Sequence, residues 1–353
     1  MPNAVITGSG SYIPTENIEN SFFLDHQFFG PDGQKNPKIN QDIIRKFNEI
    51  TCINERKYVP DHLNTSDISF LAAEQALEGI DRETLDYIIV GHNFGEVRAE
   101  NPRGDMVPSI ASRVKHKLRI KNPYTVAFDV LFGCPGWLLG VILADTYIKA
   151  GSAKKVLVIG AETLSRVSDP HDIDSMIYSD GAGAVLVEAV EGDAGVLSHV
   201  SRSDTYNETY LLRMGPSYGP EFGSNRLFLK MDGHEIYKYA VRHVAETVKQ
   251  SLDKAGLSLN DIKKILIHQA NQKMDEAILK RVFKLYQTEK DLEGIMPMTI
   301  SWLGNSSVAT LPTLFDLLQR GKLNNHVLHS GDIAVFASVG AGMNINALVY
   351  KMP

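Results

Sequence analysis

The sequence predicts an α/β protein made from two copies of one unit. Three observations lead there. Short apolar runs that read as buried strands alternate with longer segments of helical spacing. The order of those segments in the second half repeats the order in the first. In both halves a glycine and then a polar residue, Cys134 and Asn305, stand just before a helix that ends in glycine, Gly151 and Gly321.

The elements follow in chain order. Residues 4–7 form a first strand. Residues 19–47 are mixed and polar, with "FFGPDGQKNP" as a loop. Residues 65–80 show helical spacing, with Thr65 or Ser66 as N-cap. Residues 85–91 form a buried strand, and the Gly/Pro-punctuated stretch 92–105 a loop. A helix at 107–118, a strand at 124–132, a helix at 136–151 and strands at 154–162 and 180–189 complete the first half. The second half runs helix 235–256, strand 262–271, helix 305–321 and strand 332–342, the last ending in glycines. The halves divide as 1–192, with Cys134, and 193–353, with His268 and Asn305. Active sites in α/β sheets lie at the carboxyl ends of strands, so these three residues are expected to converge.

Composition narrows the function. The chain has 353 residues, 43% hydrophobic and 22% charged, enough for a large core. A net charge of −6 argues against a general nucleic-acid binder. Two distant cysteines, with no Cys/His cluster, fit neither a disulfide framework nor a structural zinc site, and the acidic residues show no metal-ligand pattern. The start "MPNAVITGSGSYIP" reads as strand and turn rather than signal peptide, and no apolar run is long enough to span a bilayer. A cytoplasmic protein without membrane attachment is expected.

The stretch "FDVLFGCPGWLLG" (128–140) reads as strand, sharp turn and helix. Pro135 suits the first helical turn. The thiol of Cys134 would then sit at a helix N-terminus, where partial positive charge lowers a cysteine pKa. A free cysteine is otherwise a small buried hydrophobe, the role assigned to Cys52. His268 ends a buried strand beside further hydrogen-bonding side chains in "HQAN". Asn305 would serve as a plain N-cap on its own, but the repeat places it opposite Cys134. "GSGSYI", "YSDGAGAVLVE" and "SVGAGM" lack nucleotide-loop spacing and read as tight turns lining a site. Backbone amides near Gly340 and Gly342 could donate to an oxyanion.

With Cys, His and Asn in this order, the chain resembles the thiolase superfamily, and within it the β-ketoacyl-acyl-carrier-protein synthase III family. The resemblance runs through "VITGSGSYIP", "ITCINERKYV", "AFDVLFGCPGW", "YSDGAGAVL", "MDGHEIYKYAV", "HQANQKM", "GNSSVATLP" and "ASVGAGM". It implies a five-layered α-β-α-β-α fold with internal pseudo-twofold duplication, a homodimer, and no cofactor beyond the thioester substrates. It implies decarboxylative condensation of an acyl thioester with malonyl-acyl carrier protein. Cys134 would carry the acyl group. The backbone N–H groups of Cys134 and Gly342 would form the oxyanion hole. His268 and Asn305 would stabilise the enolate left by decarboxylation. Lys273, Lys280 and Arg281 match the basic positions that dock acyl carrier protein.

The chain also departs from the family pattern. Lys46 and Ile173 stand where a tryptophan and an arginine hold the adenine of coenzyme A, and Ile50 where a second arginine stands. Val107 replaces a phenylalanine that closes the acyl pocket from the partner subunit, and the loop before it is longer than usual. Phe132 is expected in the substrate pocket. Two other readings stay open on sequence grounds. One is a specialised condenser of longer acyl chains in secondary metabolism; the other is a non-catalytic acyl-binding partner subunit.

Overall fold

The computed structural model describes residues 2–223, 225–288 and 294–353. Its strands are β1 (Asn3–Tyr12), β2 (Glu16–Glu19), β3 (Glu55–Tyr58), β4 (Tyr87–Gly91), β5 (Val126–Val130), β6 (Lys155–Thr163), β7 (Asp180–Val190), β8 (Gly195–Ser203), β9 (Leu212–Pro216), β10 (Leu227–Met231), β11 (Ile262–Ile267), β12 (Ile333–Gly340) and β13 (Asn344–Lys351). Its helices are α1 (Asn40–Thr51), α2 (Thr65–Ala76), α3 (Ile110–Lys117), α4 (Gly136–Lys149), α5 (Gly233–Ala255), α6 (Gln272–Leu285), α7 (Ile300–Leu303) and α8 (Thr310–Gln319).

Two mixed sheets share one plan. The first has the order β1-β7-β6-β4-β5, the second β8-β13-β12-β11. In each, the first two pairings are antiparallel and the third is parallel, β6 with β4 and β12 with β11. The duplication read from the sequence is therefore a repeat of strand order and direction. Strands β4, β6, β7, β12 and β13 are buried along most of their length, which is why they read as near-continuous apolar runs.

Three large cores stack the layers. Ile68, Ala72 and Ala76 of α2 and Ile110 and Val114 of α3 cover the outer face of the first sheet. Trp137, Leu138 and Val141 of α4 pack with Leu314, Phe315 and Leu318 of α8 between the sheets. Val244, Val248 and Leu252 of α5 and Ile278, Leu279 and Val282 of α6 cover the outer face of the second sheet. The result is five layers, α-β-α-β-α.

Several local expectations need correction. The stretch 19–47 is not all loop, because α1 starts at Asn40 with Ile43 and Phe47 buried. Polar residues on its exposed face dilute the apolar signal. The N-cap of α2 is Asn64, one residue earlier than expected, in a capping box with Asp67. Pro135 is the N-cap of α4 rather than its first helical residue. The helix expected from Asn305 begins only at Thr310, after a 3-10 turn at Ser307–Ala309.

Candidate active site

The layers bring the carboxyl ends of β5, β11 and β12 to one place. Cys134, His268 and Asn305 all line a single cavity of about 410 Å³. Two glycine turns meet at its floor. Gly133 has φ +67, and a Cβ there would come within 2.5 Å of Ala341 N. A Cβ on Gly340 would lie 2.3 Å from Cys134 N. Side chains at either position would push the Cys134 turn away from the end of β12. Of the three segments expected as tight turns of the site, "SVGAGM" ends in one, whereas "GSGSYI" lies almost wholly in β1 and the glycines of "YSDGAGAVLVE" lie in β7. Gly342, at φ +75, also lines the cavity. The Cys134 N–H donates to no other residue among the backbone hydrogen bonds of the described residues.

Cys134 does not have the depressed pKa that its position suggested. Burial pushes the thiol up to about 11; the Ser307 hydroxyl bonded to Sγ pulls it down, and the nearby Glu162 carboxylate adds to the rise. Desolvation of the anion outweighs the helix end.

His268 follows β11 and is fixed by its backbone N–H to Ala337 O at 2.8 Å. Burial pushes its imidazole down to about 4, so the ring is neutral at physiological pH. Nδ1 is buried without a partner. A ring N–H would be costly to leave there, so the proton belongs on Nε2. Asn305 is held at both backbone groups. Its N–H donates to Ile177 O at 3.0 Å, and its carbonyl accepts from Ser179 N at 2.9 Å. Ser307 N–H donates to Asn305 Oδ1 at 2.8 Å. A backbone amide can only donate, so the side-chain NH2 is the end left for the cavity.

Phe132 lines the cavity, with Phe94, Leu164, Met214 and Leu229. Val107 does not. It is 83% exposed, outside the cavity of its own chain. Met231, Ile236, Ala270, Met274 and Asn305 also line a second, outer cavity of about 860 Å³, so the two spaces adjoin. Lys46, Ile50 and Ile173 meet on the wall of this outer space. Lys273 and Lys280 are exposed on α6 and Arg281 is half-buried, while Asn271 and Met274 at the start of α6 touch the mouth.

Sequence reasoning missed Ser307, Asn93 and Glu162. Ser307 Oγ donates to Cys134 Sγ at 3.2 Å, Asn93 Nδ2 donates to Ser307 Oγ at 3.2 Å, and Asn93 Nδ2 donates to Glu162 Oε2 at 2.7 Å. The signal was there: β4 runs on into "HN" and β6 ends in "ET", polar strand ends like the one that singled out His268.

Residues 128–205 match the family profile of 3-oxoacyl-[acyl-carrier-protein (ACP)] synthase III, and residues 252–352 match its C-terminal counterpart. Beta-ketoacyl-[acyl-carrier-protein] synthase III 1 of Halalkalibacterium halodurans is 30% identical, with 99% of each chain covered. A Staphylococcus epidermidis beta-ketoacyl-[acyl-carrier-protein] synthase III is 31% identical at the same coverage. The crystal structure of 3-oxoacyl-[acyl-carrier-protein] synthase III from Aquifex aeolicus superposes with a TM-score of 0.80 at 26% identity, over 99% of both chains. OleA of Xanthomonas campestris shares the fold, with a TM-score of 0.76 at 17% identity over 99% of this chain and 98% of that one. The cysteine, histidine and asparagine gathered at the strand ends of a duplicated five-layered fold thus belong to a condensing acyltransferase, a member of the 3-oxoacyl-[acyl-carrier-protein] synthase III family.

Proposed function

We propose that Cys134, His268 and Asn305 divide between them the decarboxylative condensation of an acyl thioester with malonyl-acyl carrier protein. In the first half-reaction the Cys134 sulfur attacks the thioester carbonyl. The donor's C–S bond breaks, and its thiol leaves with the proton that Cys134 gave up. The Cys134 N–H, which donates to no other residue among the backbone hydrogen bonds described, and that of Gly342 are the oxyanion donors in this reading. In the second, the malonyl carbonyl accepts from His268 Nε2–H and Asn305 Nδ2–H. The bond to the carboxylate breaks, carbon dioxide leaves and an enolate remains. Its carbon attacks the acyl carbonyl carbon, the bond from that carbon to Cys134 Sγ breaks, and the sulfur leaves as a thiolate that takes a proton from solvent, releasing a β-ketoacyl-acyl carrier protein. A neutral imidazole suits this role because it donates without having to lose a proton.

Three finer statements belong to the same proposal. The enzyme works as a cytoplasmic homodimer. β5 is an edge strand of its sheet, and Val126 and Leu131 beside that edge are exposed, as is Val107. An apolar open edge of this kind favours pairing with a second copy, and Val107 then closes the partner's acyl pocket. Carrier protein docks on Lys273, Lys280 and Arg281, since α6 begins at the mouth. Acyl groups arrive better on carrier protein than on coenzyme A, because Lys46 and Ile173 offer no flat face for adenine.

The observation that carries the proposal is the convergence of three dissimilar polar side chains in one largely apolar cavity. The test is incubation with a panel of acyl-coenzyme A and acyl-carrier thioesters, reading the mass of the protein. An acyl adduct on Cys134, discharged by malonyl-acyl carrier protein, is expected. No adduct with any donor would return the chain to a non-catalytic role.

A further inference from the structure

The Ser307 hydroxyl touches the Cys134 sulfur, and its direction is fixed from the far end of a hydrogen-bonded chain. The Asn93 backbone N–H donates to Glu162 Oε2 at 3.0 Å, and Asn93 Nδ2 donates to the same oxygen at 2.7 Å. That pins the amide, because Nδ2 and not Oδ1 faces the carboxyl group. Its second hydrogen reaches Ser307 Oγ at 3.2 Å. An oxygen that accepts from Asn93 has one hydrogen to give, and the acceptor it meets is Cys134 Sγ at 3.2 Å. Glu162, at the origin of the chain, is fully buried near the end of β6.

Ser307 holds this place with an unusual backbone. Its φ is +53, in the left-handed region that side-chain-bearing residues rarely adopt. In that conformation its N–H meets Asn305 Oδ1. One residue therefore has its side chain on the nucleophile and its main chain on the amide assigned to decarboxylation. Strained positions of this kind cluster at functional sites.

We propose that Ser307 is a fourth catalytic residue, its hydroxyl bonded to the Cys134 sulfur in the thiolate form, and that Asn93 is its positioning residue. This rests on the reading of Cys134 as the nucleophile. A hydroxyl donor stabilises an anionic sulfur more than a thiol, so it offsets part of the burial that keeps the sulfur protonated.

The experiment measures alkylation of Cys134 by iodoacetamide against pH, read by peptide mass, together with acylation of the wild-type protein by the thioester panel. The variants are Ser307→Gly, Asn93→Ala and the pair combined. Glycine suits φ +53 and keeps the N–H to Asn305, so Ser307→Gly removes the hydroxyl alone and should melt no lower than wild type. Alkylation at neutral pH should fall about tenfold and its midpoint should rise by about one pH unit, the scale of one charge-assisted hydrogen bond. Asn93→Ala should lose less, and the double variant no more than Ser307→Gly, because Asn93 acts through Ser307. A Ser307→Gly profile that superimposes on wild type overturns the role of Ser307. Additive losses in the double variant overturn that of Asn93. A wild-type Cys134 that alkylates but accepts no acyl group from any thioester overturns the nucleophile reading itself, and the inference with it.

Discussion

The two adjoining cavities differ in kind. The inner one is walled largely by apolar side chains and glycine turns, and Asn305, Ser307 and Cys134 are tied to one another there by hydrogen bonds. The outer one is bordered by side chains of both signs. Lys38, Arg45 and Lys46 stand among Asp42, Glu49 and Asp174, and Arg45 pairs with Asp42 and Glu49 at the surface. Solvated pairs of that sort contribute little and rearrange readily. On the proposed division of labour, the inner space sets what reaction is done, because charge would develop there among preorganised groups, and the outer space sets which thioester is brought to it.

The largest effects should come from the inner residues. Cys134→Ala should abolish condensation while leaving some malonyl decarboxylation. His268→Ala and Asn305→Ala should still form the acyl-enzyme but lose decarboxylation by about 10²–10³, the usual cost of one oxyanion donor. Mass spectrometry of the acyl adduct and carbon dioxide release read the two halves separately. A His268→Ala protein that cannot be acylated at all would break the division, because His268 would then be needed by the thiol.

The basic face of α6, whose first turn reaches the outer cavity, should yield smaller effects that depend on the donor. Replacing Lys280 and Arg281 with glutamate should lower kcat/KM for acyl-carrier donors about tenfold, on the scale of two charge contacts reversed at an interface rim. Acyl-coenzyme A donors should be spared. Equal losses with both donors would move carrier docking away from α6. If acetyl-coenzyme A proves as good a donor as the carrier thioester, the adenine is held without the flat faces that Lys46 and Ile173 fail to provide.

Chain length lies between the two regions. Val107→Phe should narrow the accepted donors toward short acyl groups, by about fourfold per methylene excluded, from about 0.8 kcal/mol each. Competing donors of graded length, read by acyl-enzyme mass, give the profile. An unchanged profile would give closure of the pocket to the long loop 92–105 instead.

The same contrast explains what could be read in the sequence. Buried strands announce themselves as apolar runs, so β4, β6, β11 and β12 were legible, and with them the strand ends that hold the chemistry. Cys134 and His268 are polar residues in places where nothing polar is needed for folding, and Asn305 stood out only through the repeat, since a cap alone would explain it. Ser307, Asn93 and Glu162 were not legible because their meaning is tertiary: Asn93 and Ser307 are 214 positions apart. The missed α1 and the β9–β10 hairpin border the cavities; α1 is periodic, but only Ile43, Phe47 and Thr51 are buried in it and its other residues are mostly polar. The thiol pKa was misjudged for a related reason. A helix end can be seen in a sequence, but depth of burial cannot.

The smallest expected effect tests whether the inner site is as dry as its walls imply. Burial pushes the Glu162 carboxyl up to about 7, against the opposing pull of His92 and the Asn93 hydrogen bonds. The folded protein therefore holds a proton on Glu162 over a range in which the unfolded chain has released it. The stabilisation from that proton is complete below the ordinary glutamate range, near pH 4.3, and is lost as pH rises toward 7. His268 runs the other way. Its neutral ring favours the fold above pH 6.5, and that advantage fades as pH falls toward 4. Glu162→Gln keeps an acceptor oxygen for Asn93 and removes the charge. It should leave the melting temperature at pH 5 near wild type and raise it at pH 8, by on the order of 2 °C. Melting curves across that range suffice. A variant whose difference from wild type does not change between pH 5 and pH 8 would mean that Glu162 is solvated like the carboxylates of the mouth, and the distinction between the two cavities would narrow to shape alone.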